Sequence, residues 1–195
     1  MLLFQAYDKH LDQLNEVAQR VRRALEAAEI NYRIIGGLAV FFHVQARDPL
    51  AARLTKDVDI AIDRADLPRI KEAVRPFGFE YRHVAGVDML VDPKQPRVRS
   101  AVHLVFTGEK VRTHYVEPVP DFSKPALTED GIALAPVADL VRMKLTSFRP
   151  RDKAHVIDLD TVGLITPEVE NSLSDQLRRR LKQVREEENQ SAGAE

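Results

Sequence analysis

The chain has 195 residues, 29 of them basic and 30 acidic, and its formal net charge is −1. This balance excludes a protein that is held on nucleic acid or on a membrane surface by its overall charge. Cysteine is absent, which excludes disulfides and thiolate metal sites. The N-terminus has no signal-peptide core, and no apolar run is long enough to span a membrane, so we expect a cytoplasmic protein without a membrane partner.

The spacing of apolar residues predicts an α+β fold in which helices flank a mixed β-sheet. Apolar positions recur every three or four residues from Asp8, a candidate N-cap, to Glu29, which is typical of an amphipathic helix. Short apolar runs bounded by turn residues then alternate with helical segments as far as Ala135. We predict strands at residues 32–35, 57–62, 79–84, 87–91, 100–106 and 131–135, and helices at 38–43 and 67–76, the second capped by Asp66.

The chain after Pro136 is predicted to be helical. The pattern indicates helices at residues 137–148, 152–162 and 166–188, and Pro167 stands at the first position of the third helix. We therefore divide the chain into an α/β domain with an N-terminal helix at residues 1–135, a helical region at 136–188 and a disordered tail at 189–195.

Two carboxylates share one face of a predicted strand. Side chains alternate along a strand, so Asp57 and Asp59 point the same way with Cα atoms about 7 Å apart. Two such charges about 4 Å apart repel by about 4 kcal/mol, so the pair favours a cation between them. Oxygen ligands favour Mg²⁺ or Mn²⁺. The alternative interpretation is the exposed face of an edge strand.

A pair of glycines precedes these carboxylates in the sequence. Gly36 and Gly37 stand between a predicted strand and a predicted helix. Glycines at such a turn let the backbone approach a phosphate, toward which the amide N–H groups and the helix dipole point. The alternative is a tight turn without a ligand. The glycines and the aspartates together indicate metal-assisted phosphoryl chemistry.

Lys144 is an unusual residue in the helical region because it shares a helical face with apolar residues. Its ammonium group either extends to solvent or points into a cleft and meets an anion. Arg149, Arg151 and Lys153 follow closely and would suit phosphates. Asp158, also flanked by apolar positions, is a candidate partner of Lys144 or Arg151.

The glycine turn and the paired aspartates resemble the signature of the DNA polymerase β-like nucleotidyltransferase superfamily. The residues that carry the resemblance are Ile35-Gly36-Gly37 and Thr55-Lys56-Asp57-Val58-Asp59-Ile60. The resemblance implies that Asp57 and Asp59 bind the divalent ion, Mg²⁺ or Mn²⁺, that holds a nucleoside triphosphate. It also implies that Gly36, Gly37 and Thr55 belong to the nucleotide site.

The helical region is similar to the AbiEii/AbiGii toxin-like branch of this superfamily. The similar segments are residues 137–145, Arg149, Arg151-Asp152-Lys153 and Asp158-Leu159. This resemblance implies that Lys144 and Asp158 are active-site residues, with Arg151 and Lys144 at the nucleotide. It further implies an RNA acceptor, especially a transfer-RNA end, or a protein hydroxyl, and an antitoxin as partner.

The sequence departs from the superfamily pattern at the third carboxylate. Members that transfer nucleotides usually have this group on a later strand, where His103 stands here. Histidine is a poor ligand for Mg²⁺, although it can act as a general base near neutral pH. Asp88 and Glu109 are the substitute candidates. We interpret His10, His43, His83 and His114 as structural or surface groups.

These features support a nucleotidyltransferase as the leading hypothesis. The enzyme would move a nucleoside monophosphate from a triphosphate to a hydroxyl, in a toxin-antitoxin or phage-defence system, and no DNA readout is expected. Basic residues at 97, 99 and 178–180 are candidate phosphate contacts, although the last three also fit a solvated helix face. A small hydroxylated acceptor such as an antibiotic is the enzymatic alternative. A non-catalytic module that binds a nucleotide or a protein is the second hypothesis.

Overall fold

The computed structural model describes residues 2–53, 55–94 and 101–192. Its helices are α1 (Leu2–Ala27), α2 (Gly36–Arg47), α3 (Leu67–Ala73), α4 (Val137–Ser147), α5 (Pro150–Thr161), α6 (Pro167–Asn171) and α7 (Asp175–Ala192). Its strands are β1 (Tyr32–Ile35), β2 (Val58–Ile62), β3 (Glu80–Val84), β4 (Val87–Val91), β5 (Val102–Phe106), β6 (Ala126–Leu127) and β7 (Ala133–Leu134). No helix within these ranges is both long and apolar enough to cross a bilayer.

The described strands form one mixed sheet in the order β3-β4-β5-β2-β1-β7-β6. Strand β2 is antiparallel to β1 and parallel to β5, while β1 is parallel to β7. Because β1 runs against β2, its last residue, Ile35, lies opposite Asp59 near the start of β2. This register brings the glycine turn and the aspartates to the same edge of the sheet. The expected α+β class, with a mixed sheet and C-terminal helices, is confirmed.

The hydrophobic core lies against the central strands. These strands are buried, which accounts for their apolar sequences. Ile34, Ile60 and Ile62 are fully buried, as is the apolar face of α1 that includes Val21 and Leu25. Helix α2 packs against β1 and β2 and also against α4 and α5. The helical region is thereby held beside the edge of the sheet that carries the aspartates.

Several element boundaries differ from the predictions. Helix α1 begins at Leu2, so Asp8 lies within the helix and is not its N-cap. A 3₁₀ turn, Arg64–Asp66, precedes α3, and Asp66 makes no side-chain capping bond. Its carboxylate instead accepts a hydrogen bond from Arg69. Strand β6 was not predicted, since two residues are too short for a recognisable alternation.

The predicted third C-terminal helix is two helices. Thr166 caps α6 through its hydroxyl, and Ser172 ends it while bonding back to the Val169 carbonyl. Helix α7 then continues to Ala192, so residues 189–192 are helical rather than the predicted tail, and residues 193–195 lie outside the described ranges. The bond from the Ser191 hydroxyl to the Glu187 carbonyl belongs to this last turn.

The arginines of α7 do not form a uniformly solvated face. Arg180 donates to the carbonyls of Leu145 and Thr146 at the end of α4. It thus satisfies carbonyls that a helix terminus leaves without partners. Arg178 pairs with Asp175 on the surface. The other candidate phosphate contacts, residues 97 and 99, lie outside the described ranges.

Candidate active site

Gly36 brings the backbone of the turn directly over Asp59. Its φ is +70°, and an ideal Cβ at this position would lie 2.1 Å from Asp59 Oδ2. No side chain fits in that gap, and the left-handed conformation also favours glycine. The backbone at Gly36 therefore lies against a specific side chain, the carboxylate of Asp59.

Gly37 makes a second close approach, on another side of the turn. An ideal Cβ there would lie 2.6 Å from Thr55 Oγ1 and 3.3 Å from His155 Cε1. The turn thus places the Thr55 hydroxyl beside the first turn of α2, where amide N–H groups lack helical partners. Thr55 and the two glycines, which were predicted to share a nucleotide site, lie together.

The Gly36→Ala variant is expected to lose both stability and ligand binding. The positive φ alone costs about 1–2 kcal/mol for an L-residue, and the added Cβ must displace Asp59. Gly163→Ala is a matched control, because Gly163 has a φ of +73° and nothing within 4 Å of its Cβ position. Urea unfolding should show a loss in both variants, while metal-dependent nucleotide binding should fall only in Gly36→Ala. Equal nucleotide binding by the two variants would show that the close approach of Gly36 to Asp59 is not needed for binding.

His103 contacts Asp59 across two parallel strands. The two residues are register partners of β5 and β2, and His103 Nδ1 lies 3.1 Å from Asp59 Oδ1. This hydrogen bond raises the pKa of His103 above its ordinary value, and the nearby charge of Asp57 acts in the same direction. The position where a third carboxylate was expected therefore holds His103, a basic residue that is hydrogen-bonded to Asp59.

The two substitute carboxylates are engaged elsewhere. Asp88 lies opposite Leu104 and accepts hydrogen bonds from the Tyr81 hydroxyl and from His83. Glu109 forms an ion pair with Arg64. Both residues line the same cavity as Asp59, but in the described part of the chain their side chains are paired with other residues.

The donor set near Asp59 fits a hard divalent ion only in part. Across the described ranges, no cluster of three or more histidine or carboxylate side chains has metal-binding geometry. Asp57 and Asp59 offer the oxygen donors that Mg²⁺ and Mn²⁺ prefer, and phosphate oxygens and water would have to complete the coordination. We therefore treat the metal as one that would arrive with a triphosphate.

Lys144 is buried next to Asp152. Only 9% of its side chain is exposed, and Nζ lies 3.3 Å from Asp152 Oδ1. Burial lowers the pKa of Lys144, while the charges of Asp152 and Asp59 oppose that shift. The ammonium group is thus within the electrostatic reach of Asp59 and lines the same cavity. The interpretation of Lys144 as a cation that points into a cleft agrees with this geometry.

Asp152 belongs to the cavity wall but was not predicted as a site residue, whereas Arg149, which also lines the cavity, was predicted to suit phosphates. Asp152 accepts bonds of 2.7 Å from both the Ser147 hydroxyl and Arg149 Nε. Burial opposes ionisation of Asp152, but these bonds and the charge of Lys144 outweigh it and lower its pKa. Pro150 at the first position of α5 is the available sequence signal, because Asp152 then stands where a capping-box carboxylate belongs.

The predicted residues Arg151 and Asp158 lie elsewhere. Arg151 is exposed on α5, and neither residue is among the described residues that line the cavity. Asp158 is buried and pairs with Arg53 at 2.9 Å. The expected pairing of Asp158 with Lys144 or Arg151 is wrong, because the loop before β2 folds back over α5 and supplies Arg53 instead.

The cavity beside Asp59 has a volume of about 640 Å³. This volume lies within the usual range of small-molecule sites, about 300–1,000 Å³. One part of its wall consists of Gly36, Asp59, His103, Lys144 and Arg149. Another part comes from the β3–β4 turn at residues 85–87 and from the segment 109–112. The cavity is therefore large enough for more than the reacting groups alone.

The buried His155 is expected to make the stability of the protein depend on pH. Burial, followed by the charge of Lys144, lowers its pKa to about 4, and its buried Nδ1 has no hydrogen-bond partner among the described residues. The unfolded chain binds this proton near pH 6.5 and the folded chain only near pH 4, so stability should fall as pH falls through that window. The loss attributable to His155 is about 3 kcal/mol.

Urea unfolding between pH 7 and pH 4 tests this expectation. The His155→Asn variant should lose less stability on acidification than the wild type. His114→Asn, at an exposed position, is the matched control and should keep the wild-type slope. An identical slope in all three proteins would show that His155 is not the group responsible.

Comparison with known proteins supports the fold. No protein-family profile and no curated protein matches the chain. A solution structure of the antibiotic-resistance factor ANT(2'')-Ia is similar, with a TM-score of 0.56, 10% identity and coverage of 95% of this chain and 100% of that one. A crystal structure of ANT(2'')-Ia with adenylyl-2''-tobramycin has a TM-score of 0.51, 11% identity and coverage of 85% and 94%. The chain has a nucleotidyltransferase-like fold.

Proposed function

We propose that the protein is a metal-dependent nucleotidyltransferase that moves a nucleoside monophosphate from a triphosphate to a hydroxyl group. The observation that carries this proposal is the approach of the Gly36 backbone to Asp59, with an ideal Cβ only 2.1 Å from Oδ2. At this point a turn of the kind that binds phosphate lies next to a carboxylate that suits a metal ion. The resemblance to the DNA polymerase β-like superfamily and the ANT(2'')-Ia fold support the same activity.

Each residue of the site has a role in this proposal. Asp57 and Asp59 would hold Mg²⁺ or Mn²⁺, which neutralises charge on the triphosphate when bound. The backbone at Gly36 and Gly37 and the Thr55 hydroxyl would contact phosphate oxygens.

Lys144 and Arg149 add positive charge from the helical wall, where they stabilise the charge that develops on the phosphates. Arg151, which is exposed at the start of α5, would act at longer range. His103 takes the proton of the attacking hydroxyl as its oxygen bonds to the α-phosphorus and pyrophosphate leaves. His103 lies beside Asp59, and its Nδ1 is 3.1 Å from Asp59 Oδ1, so the proposed base stands next to the proposed metal ligand.

The acceptor is proposed as a class, a hydroxyl-bearing molecule. The cavity of about 640 Å³ and the adenylyl-2''-tobramycin in the ANT(2'')-Ia crystal support a small acceptor. The resemblance to the AbiEii/AbiGii toxin-like branch supports instead an RNA or protein hydroxyl, a toxin role in the cytoplasm and an antitoxin partner. Incubation with labelled triphosphate and separate pools of RNA, protein and small polyols would show which pool becomes labelled.

Calorimetric titration with each nucleoside triphosphate, with and without Mg²⁺, tests the proposal. We expect binding that requires the metal and that is lost in the Asp57→Ala/Asp59→Ala double variant. Retention of the wild-type melting temperature by the variant would show that the fold is intact. Absence of metal-dependent binding by the wild type would refute the proposed function.

A non-catalytic binding module is the second candidate, and His103 is the observation that favours it. Its Nδ1 occupies one oxygen of Asp59, where a third metal ligand was expected. A module of this kind would bind triphosphate without turnover. Release of pyrophosphate in the presence of the acceptor pools would exclude this candidate.

A further inference from the structure

The loop between α2 and β2 carries two of the proposed ligand groups and is held by polar contacts on both sides of its exposed tip. It begins after Arg47 and delivers Thr55 and Asp57 to the site. Near its start, Asp48 closes a turn by accepting a hydrogen bond from the Leu50 amide. At the tip of that turn, the Leu50 side chain is 97% exposed, so the tip has little packing of its own.

Arg53 connects the middle of this loop to α5. Its Nε lies 2.9 Å from Asp158 Oδ1, and the two side chains are 65% and 6% exposed. The ion pair therefore has one buried and fixed end, Asp158, and one end on the loop. The second oxygen of Asp158, Oδ2, is buried and has no partner in the described part of the chain. Arg53 is thus the interaction that compensates a carboxylate buried among apolar neighbours.

A second contact secures the loop two residues later. His10 Nε2 donates to the Thr55 carbonyl oxygen at 3.0 Å. The Thr55 side chain packs into the gap at Gly37, where an ideal Cβ would lie 3.0 Å from Thr55 Cβ. Arg53 lies between the exposed turn and this contact, so its ion pair holds the loop two residues before Thr55.

We propose that Asp158 is a positioning residue that acts through Arg53 to hold the loop, and with it Thr55 and Asp57, in the geometry that binds metal and triphosphate. This role differs from the catalytic role expected for Asp158, because Asp158 is not among the described residues that line the cavity and its ion pair is with Arg53. The inference rests on the proposed function, since it concerns the ligands of that same site. It also explains why a carboxylate is buried on α5 at a distance from the reacting groups.

The Asp158→Asn variant tests the inference because it keeps the shape of the side chain and removes its charge. Release of Arg53 should speed trypsin cleavage after Arg53 about tenfold, since cleavage follows local opening of the loop. The affinity for triphosphate in the presence of Mg²⁺ should fall about tenfold, while the melting temperature stays unchanged. If Asp158 had only a structural role, the substitution would not change the gain in triphosphate affinity that Mg²⁺ provides.

The double variant Arg53→Gln/Asp158→Asn and a matched control complete the experiment. If the two residues act only through each other, the double variant should bind no more weakly than Asp158→Asn. Arg75→Gln removes another exposed arginine that pairs with a carboxylate, Glu72, and should bind as the wild type does.

Three outcomes separate the inference from the proposed function. Unchanged trypsin cleavage in Asp158→Asn overturns the attachment of the loop. Faster cleavage with unchanged metal-dependent binding overturns the positioning role alone. A wild type that shows no metal-dependent binding refutes the proposed function and, with it, the positioning role, whatever the variants do.

Discussion

In the Asp59→Asn variant, metal-dependent triphosphate binding is expected to fall about a hundredfold, and by at least tenfold more than in Asp57→Asn. The reason is that the structure distinguishes two carboxylates that the sequence pattern treats alike. Asp59 lies on β2, beneath the Gly36 gap, and lines the cavity. Asp57 precedes the strand and is not among the described residues of the cavity wall.

Parallel titrations of the two single variants with Mg²⁺ and triphosphate measure this difference. The melting temperature serves as the control for folding. If the two variants lose equal affinity, then the ligand-bound site must bring Asp57 to the metal as closely as Asp59. If Asp59→Asn keeps its affinity, the metal does not bind at this strand.

The Asp152→Ala variant is expected to lose about 3–5 kcal/mol of unfolding free energy, because it leaves Lys144 buried without its counter-charge. Asp152 is almost fully buried and accepts bonds from Lys144, Arg149 and Ser147. Removal of the carboxylate leaves these donors unsatisfied.

Urea unfolding at neutral pH measures this loss. Asp175→Ala is the matched control, since Asp175 also pairs with an arginine, Arg178, but its side chain is 81% exposed. An exposed pair contributes between about 0 and 1 kcal/mol, so the control should be nearly neutral. Similar losses in both variants would show that the buried cluster around Lys144 adds no special stability. The double variant Asp152→Ala/Lys144→Met should recover part of the lost unfolding free energy, because it also removes the buried charge of Lys144.

The sheet and the glycine turn were predictable because their signals are local. Short apolar runs bounded by turn residues identified β1 and β2, and the glycines marked the turn between β1 and α2. The glycine turn and the aspartates were expected to serve one phosphate and metal site, but the approach of Gly36 to the Asp59 carboxylate itself was not predicted. The register between β2 and β5, which places His103 opposite Asp59, was not predictable, because strand pairing depends on segments that are far apart in the sequence.

The ion pairs of the helical region were not predictable, because they depend on how segments far apart in the sequence meet. Lys144 and Asp158 are both flanked by apolar residues, so their patterns suggest one shared pair. The structure instead pairs Lys144 with Asp152, two residues after Pro150 in the first turn of α5, and Asp158 with Arg53 on a distant loop. Helical periodicity identifies which face a charge occupies but not which partner arrives there.

The shared space between Gly37 and Thr55 has a consequence for how this protein can vary during evolution. A Cβ at position 37 would lie 2.6 Å from Thr55 Oγ1, so a side chain at one position requires the other to become smaller. Homologous chains with serine or alanine at position 37 should therefore carry a smaller residue, such as glycine or alanine, at position 55. Where serine appears at position 37, its hydroxyl would take the place of the one that Thr55 provides here. Substitution at these two positions would thus be correlated, with one hydroxyl kept at the turn and its source exchanged between the helix and the loop.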